Sequence, residues 1–185
     1  MKLLTLLLLL LVGVLIAKPV FFGFRAQKPA DYAGTEPAFI LEKHLSGPIV
    51  AEGIVYGPLG KVTNSFVAQM QGAWADGKGT LAEDFTYSNG ASQTRNWTLT
   101  KQDGNRFTAT APDVVGEAEG VVSGSTVRLI YKIILPEASG GYTLSATDWM
   151  YLAEDGVILN KSEMRMWGIK VAELVATMRP AQTAD

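Results

Sequence analysis

Beyond Gly47 the chain is cut at nearly even spacing by glycine-bearing turn signals: Gly57-Pro58-Leu59-Gly60, Asp76-Gly77-Lys78-Gly79, Asn89-Gly90, Asp103-Gly104-Asn105, Ser123-Gly124-Ser125, Ser139-Gly140-Gly141 and Glu154-Asp155-Gly156. Asn-Gly and Asp-Gly supply the positive φ that tight hairpins need. The pieces between them alternate with period two, which predicts strands near 49–56, 61–73, 80–88, 92–102, 106–111, 117–123, 126–135, 142–152 and 157–165. A last segment, 168–179, reads as a tenth strand or a closing helix. Hairpin-linked strands of one type imply an up-and-down sheet. So many strands in one open sheet would leave long unpaired edges, so closure into a barrel is expected. The predicted fold is therefore all-β, an antiparallel barrel of about 8–10 strands, with a two-sheet sandwich as the alternative.

The chain has 185 residues, 48% of them hydrophobic, which is room for one domain and an appendage and is too apolar for disorder. With no Cys there is no disulfide framework, thiol nucleophile or thiolate metal site. One His, His44, leaves no multi-histidine metal site, and no Ser-His-Asp relay assembles around it. A formal charge of −2 lacks the basic face of a nucleic-acid binder. No cofactor, metal site or catalytic residue is assigned.

The appendage is N-terminal. Leu3 to Ala17 are apolar apart from Thr5, with Lys2 in front, the build of a secretory signal. The cleavage site would be Leu15-Ile16-Ala17, with Leu where a small residue is preferred, and apolar character resumes from Pro19 to Phe24. Counted over 3–24, the stretch reaches the roughly 20 residues of a membrane span. Three readings stand: an uncleaved signal-anchor holding the chain on the membrane through residues 3–24, a cleaved signal peptide, and a buried helix. The charges do not orient it, since Lys18, Arg25 and Lys28 follow the segment. Residues 29–185 carry the other 12 basic and all 18 acidic residues, a balance of −6, so the body is not a membrane-hugging surface. The expected organisation is 1–24 signal or anchor, 25–48 linker and lead-in, 49–180 barrel and 181–185 tail.

Strand parity separates the faces. Leu81, Glu83, Phe85 and Tyr87 share one face; so do Gln93, Arg95, Trp97 and Leu99; so do Leu144, Ala146, Asp148, Met150 and Leu152, opposite Trp149 and Tyr151. Glu83, Arg95 and Asp148 are thus charges on apolar faces. An unpaired buried charge costs several kcal/mol, so each should meet a partner. Glu83 and Arg95 flank Asn89-Gly90 almost symmetrically, which makes them cross-strand neighbours if the loop has two residues. The pair is read as a structural ion pair in the barrel, as a polar recognition group in a cavity, or as a catalytic acid. Both faces of 126–135 carry apolar residues, so that strand is expected to be covered outside as well, by Phe39–Leu45. Glu117 and Glu119, with Asp113 nearby, lack the spacing of a calcium loop. Gly72-Ala73-Trp74 echoes the Gly-x-Trp of lipocalins, though in the second strand.

Several segments, in order, resemble the DUF3833 family of bacterial envelope proteins: Phe66-Val67-Ala68-Gln69-Met70-Gln71-Gly72 with Trp74, Leu81-Ala82-Glu83-Asp84-Phe85-Thr86-Tyr87, Arg95-Asn96-Trp97, Asp113-Val114-Val115-Gly116-Glu117-Ala118-Glu119-Gly120, Asp148-Trp149-Met150-Tyr151-Leu152 and Asn160-Lys161-Ser162. The resemblance implies a lipocalin-like barrel on the outer side of the bacterial inner membrane. Many members look like lipoproteins; this chain, without Cys, has no lipid-attachment site. Some members sit beside fatty-acid-modifying enzymes, which hints at lipid. The family motifs fall on Glu83, Arg95, Asp113 and Asp148, so the candidate polar cluster, ligand-binding or structural, is these four with Trp97, Trp149 and Tyr87. Three functions follow as expectations: a barrel binding an apolar or amphipathic ligand such as a lipid or fatty acid, a side-chain-filled barrel serving an envelope complex of undefined stoichiometry, and an acid–base enzyme using Glu83 or Asp148. A cavity of a few hundred Å³ favours the first, and a packed interior the second.

Overall fold

The computed structural model describes residues 2–181, without the side chains of 15–21 and 138. Met1 and most of the expected tail, residues 182–185, lie outside the described residues. Ten strands follow one another: β1 (Gly47–Tyr56), β2 (Val62–Ala75), β3 (Lys78–Tyr87), β4 (Ser92–Lys101), β5 (Arg106–Thr110), β6 (Ala118–Ser123), β7 (Thr126–Ile134), β8 (Thr143–Leu152), β9 (Ile158–Met166) and β10 (Ile169–Pro180). Each pairs antiparallel with its sequence neighbours, and β1 pairs with β10 from Ile49↔Pro180 to Tyr56↔Glu173 to close the barrel. Closure removes every sheet edge, which excludes the sandwich. The segment 168–179 is a strand because the barrel needs its backbone to satisfy both β1 and β9.

Alternation sends one residue in two inward. Phe66, Met70, Leu81, Leu99, Phe107, Leu129, Ile133, Leu144 and Met178 are among the buried side chains of this interior. The turns at 76–77, 102–105, 124–125 and 153–157 gather at one end, and a helical turn, α2 (Leu41–His44), plugs it. Phe39, Leu41 and Leu45 are buried there. The plug is fastened by the Trp74 indole, which donates to the Leu45 carbonyl at 2.9 Å, and by Lys101 against Glu42 at 2.5 Å. Gly72 is needed because its backbone runs directly beneath Leu45; a Cβ there would strike the Leu45 carbonyl. The other end is left open.

Residues read as a linker form a strap instead. Two 3₁₀ turns follow one another outside the barrel: Phe24–Ala26, whose Phe24 ring meets Lys161 of β9, and Pro29–Tyr32, on the outer wall of β6 and β7. Tyr32 packs on Trp149 with ring centroids 5.3 Å apart, and the Tyr32 and Tyr151 hydroxyls both donate to Gln27 Oε1. Thr35 Oγ1 accepts from the Ser125 N–H at 2.9 Å. The outer cover near β7 is therefore this strap, whereas Phe39–Leu45 is the plug. Ile130 and Ile134, expected to be covered, are exposed.

Helix α1 (Lys2–Phe21) leads into the strap, with its leucines from Leu3 to Leu11 exposed. Among the described residues no helix is long and apolar enough to cross a membrane. The transmembrane helix expected over residues 3–24 is thus not shown.

Candidate functional site

The open end leads into a cavity of about 560 Å³. Its walls are mainly apolar, with Phe66, Phe85, Trp97, Leu129, Met164 and Leu174 among them, and Asn64, Asn89 and Ser92 stand at the mouth. The interior is hollow, not side-chain-filled.

The charged residues meet half-way down the wall. Glu83 and Arg95 are direct cross-strand partners of β3 and β4. The hairpin differs from the expected two-residue loop: Tyr87 and Ala91 close it, with Tyr87 N–H donating to Ala91 O at 2.9 Å, so three residues, Ser88 to Gly90, make the turn. Gly90 takes φ 84°, the left-handed residue that ends a three-residue turn. The extra residue brings Glu83 exactly opposite Arg95.

Asp113 holds Arg95 more tightly than Glu83 does. It arrives from the loop between β5 and β6, which is pinned to β7 by Val115 N–H on Lys132 O and Ile134 N–H on Asp113 O, at 2.9 and 2.8 Å. Arg95 Nε donates to Asp113 Oδ2 at 2.9 Å and Oδ1 at 3.2 Å, and Nη2 reaches Oδ2 at 2.9 Å. Arg95 Nη1 is 3.7 Å from Glu83 Oε2. The guanidinium also lies 5.9 Å from the Phe85 ring and 5.7 Å from the Trp97 ring. On β7 and β8 the Tyr131 hydroxyl donates to Asp148 Oδ2 at 3.0 Å, and on β3 and β4, beside Arg95, the Tyr87 hydroxyl donates to Gln93 Oε1 at 3.2 Å.

Burial dominates the protonation equilibria. It pushes the Glu83 carboxyl up to about 7, against the pull of Arg95 and the Trp97 indole and with help from Asp148 and Asp113. Burial also raises Asp148, opposed by the Ser162 and Tyr131 hydroxyls and by Arg95. Burial, then Asp148, holds Tyr131 well above its ordinary value, so it stays a donor. Burial likewise raises Tyr87. For Arg95 burial works the other way, but Tyr131, Glu83 and Asp113 outweigh it and its pKa is raised. Two buried oxygens, Glu83 Oε2 and Asp148 Oδ1, have no hydrogen-bond partner.

Five of the seven residues nominated from sequence thus line the cavity, Glu83, Tyr87, Arg95 and Trp97 from β3 and β4 and Asp148 from β8, and a sixth, Asp113, joins them through Arg95. Trp149 does not join them. It points outward from β8, is 1% exposed under the strap, and has Arg128 5.9 Å from its ring. Tyr131 and Ser162 belong to the cluster and were not nominated. Among the described residues no group of His, Asp or Glu could hold a metal ion.

No curated protein matches the chain. Among solved structures, the crystal structure of Rv2717c from M. tuberculosis is similar, with a TM-score of 0.54 over 80% of this chain and 99% of that chain. The identity is 13%, so the likeness is one of fold alone. Residues 19–180, from the end of α1 through β10 and including the whole polar cluster, match the family described as protein of unknown function (DUF3833), and with most of its length matched the chain belongs to that family.

Proposed function

We propose that the barrel is a binding protein for an apolar or amphipathic small molecule of lipid type, held in the cavity between the open end and the α2 plug. The observation that carries this reading is the apolar-walled cavity of about 560 Å³, within the roughly 300–1,000 Å³ of small-molecule sites. A barrel serving only as a scaffold would fill that space with side chains, because an empty apolar volume costs stability. The exposed leucines of α1 support a place at a bacterial membrane or delivery to the cell envelope, since nothing else in the described chain covers them. Native mass spectrometry of the protein purified from its own cells tests the binding reading. A bound mass of lipid size is expected, and an empty barrel that also takes up no apolar dye would refute it. The raised Glu83 and Asp148 carboxyls are also what an acid–base catalyst carries. Recovery of a chemically converted ligand would move the barrel to that class.

A further inference from the structure

We infer that the polar end of the ligand is a hydrogen-bond donor, a hydroxyl or an ammonium group, and that a carboxylate is the wrong head group for this cavity; the inference rests on the binding reading above. The donors around the cluster are already engaged. Arg95 turns Nε and Nη2 onto Asp113 and Nη1 toward Glu83. Tyr131 donates to Asp148 Oδ2 and Tyr87 to Gln93; the Ser162 hydroxyl is shared between Asp148 and Asn160 Oδ1, the latter at 3.4 Å, and the Trp97 indole faces Glu83. The Gln93 amide reaches Asp113 Oδ2 at 3.5 Å. Among the described residues three buried side-chain polar atoms lack a hydrogen-bond partner; Arg128 Nε is not on the cavity, and the two that are, Glu83 Oε2 and Asp148 Oδ1, are both carboxyl oxygens. A buried polar atom without a partner is costly, so a ligand that completes these two is favoured over one that cannot.

Charge selects in the same sense. Three carboxyls, Glu83, Asp113 and Asp148, surround one guanidinium. No Lys lines the cavity, and Arg95 is its one Arg. An incoming carboxylate would meet like charge in a low-dielectric setting and find the only cation neutralised.

A chain-matched competition tests this. The full-length protein, kept soluble with an amphipathic polymer at pH 8, is equilibrated with an equimolar mixture of dodecan-1-ol, dodecylamine, dodecanoate and dodecane. After gel filtration the retained compounds are quantified by mass spectrometry. Variants with a filled cavity, Ala172→Phe and Met150→Trp, give the uptake by polymer and helix to be subtracted. The alcohol or the amine should exceed dodecanoate by about tenfold, the worth of one well-made hydrogen bond. Asp148→Asn, which puts an amide donor where an acceptor stood, should shrink that preference several-fold. Dodecanoate retained as well as the alcohol and the amine, or dodecane retained as well as both, would overturn the inference and leave the binding reading intact. Retention of none of the four above the filled variants would remove the binding reading and the inference together.

Discussion

Glu83→Gln should stabilise this protein above neutral pH, although it removes a charge that faces an arginine. In the folded barrel the Glu83 carboxyl is lifted from 4.5 to about 7, because burial outweighs Arg95. A pKa raised on folding means that the folded state binds the proton more tightly than the unfolded chain. The associated stability is present in full below about 4.5 and is lost as pH rises through about 7. At 1.36 kcal/mol per pH unit, the gap corresponds to about 3 kcal/mol of stability missing above pH 8. Glutamine has the shape of the protonated acid and does not titrate, so the variant escapes that loss. Urea denaturation of both proteins should give Glu83→Gln the advantage by about 2–3 kcal/mol at pH 8.5 and by less than about 1 kcal/mol at pH 5. Carboxyls that titrate alike in both proteins cancel in the difference. A variant weaker than the parent at pH 8.5, or an advantage that does not change with pH, would mean that Arg95 compensates the Glu83 charge fully, and the account given for this carboxyl would fail.

Three further outcomes are expected. Arg95→Met, which strands both Asp113 and Glu83, should cost about 3–5 kcal/mol by chemical denaturation; in double-mutant cycles the Arg95–Asp113 coupling should exceed the Arg95–Glu83 coupling, because three contacts of 2.9–3.2 Å outrank one at 3.7 Å. Gly72→Ala should lower the melting temperature by an amount worth at least about 2 kcal/mol, since the backbone carbonyl of Leu45 has no side-chain freedom with which to yield. Trp74→Phe should cost about 1 kcal/mol and speed amide exchange over residues 41–45, because the plug loses the indole hydrogen bond to Leu45.

The barrel was legible because its information is local. Each hairpin carries its own turn residues, and period two then fixes which side chains face inward; Glu83, Arg95 and Asp148 emerged as anomalies of that pattern. The Asn89-Gly90 loop shows the limit of such reading. Counting residues brought Glu83 and Arg95 near one another, but whether two or three residues make the turn depends on a Tyr87–Ala91 pairing that the letters alone do not specify. Asp113 sits in a loop, where periodicity has nothing to say, and only family resemblance pointed to it. Trp149 misled because its burial is non-local: parity put it outside, and what covers it there is Tyr32, more than a hundred residues earlier. The strap itself, rich in Pro and polar side chains, has the composition of a linker; the bonds that fasten its Gln27 and Thr35 to the barrel come from Tyr151 and Ser125, about a hundred residues later.

The strap also sets the length of a leash. Between the last residue of α1, Phe21, and the first residue fixed to the wall, Phe24 with its ring 5.4 Å from Lys161 Nζ, there are only Phe22 and Gly23. Fully extended, that interval spans about 10 Å. Anything that grips α1 therefore grips the barrel at nearly the same point. The cup cannot swing far from its mooring as it would on a long flexible tether, and the position of its mouth relative to whatever holds the N-terminus is confined by the attachment of residues 24–35 to β6–β9.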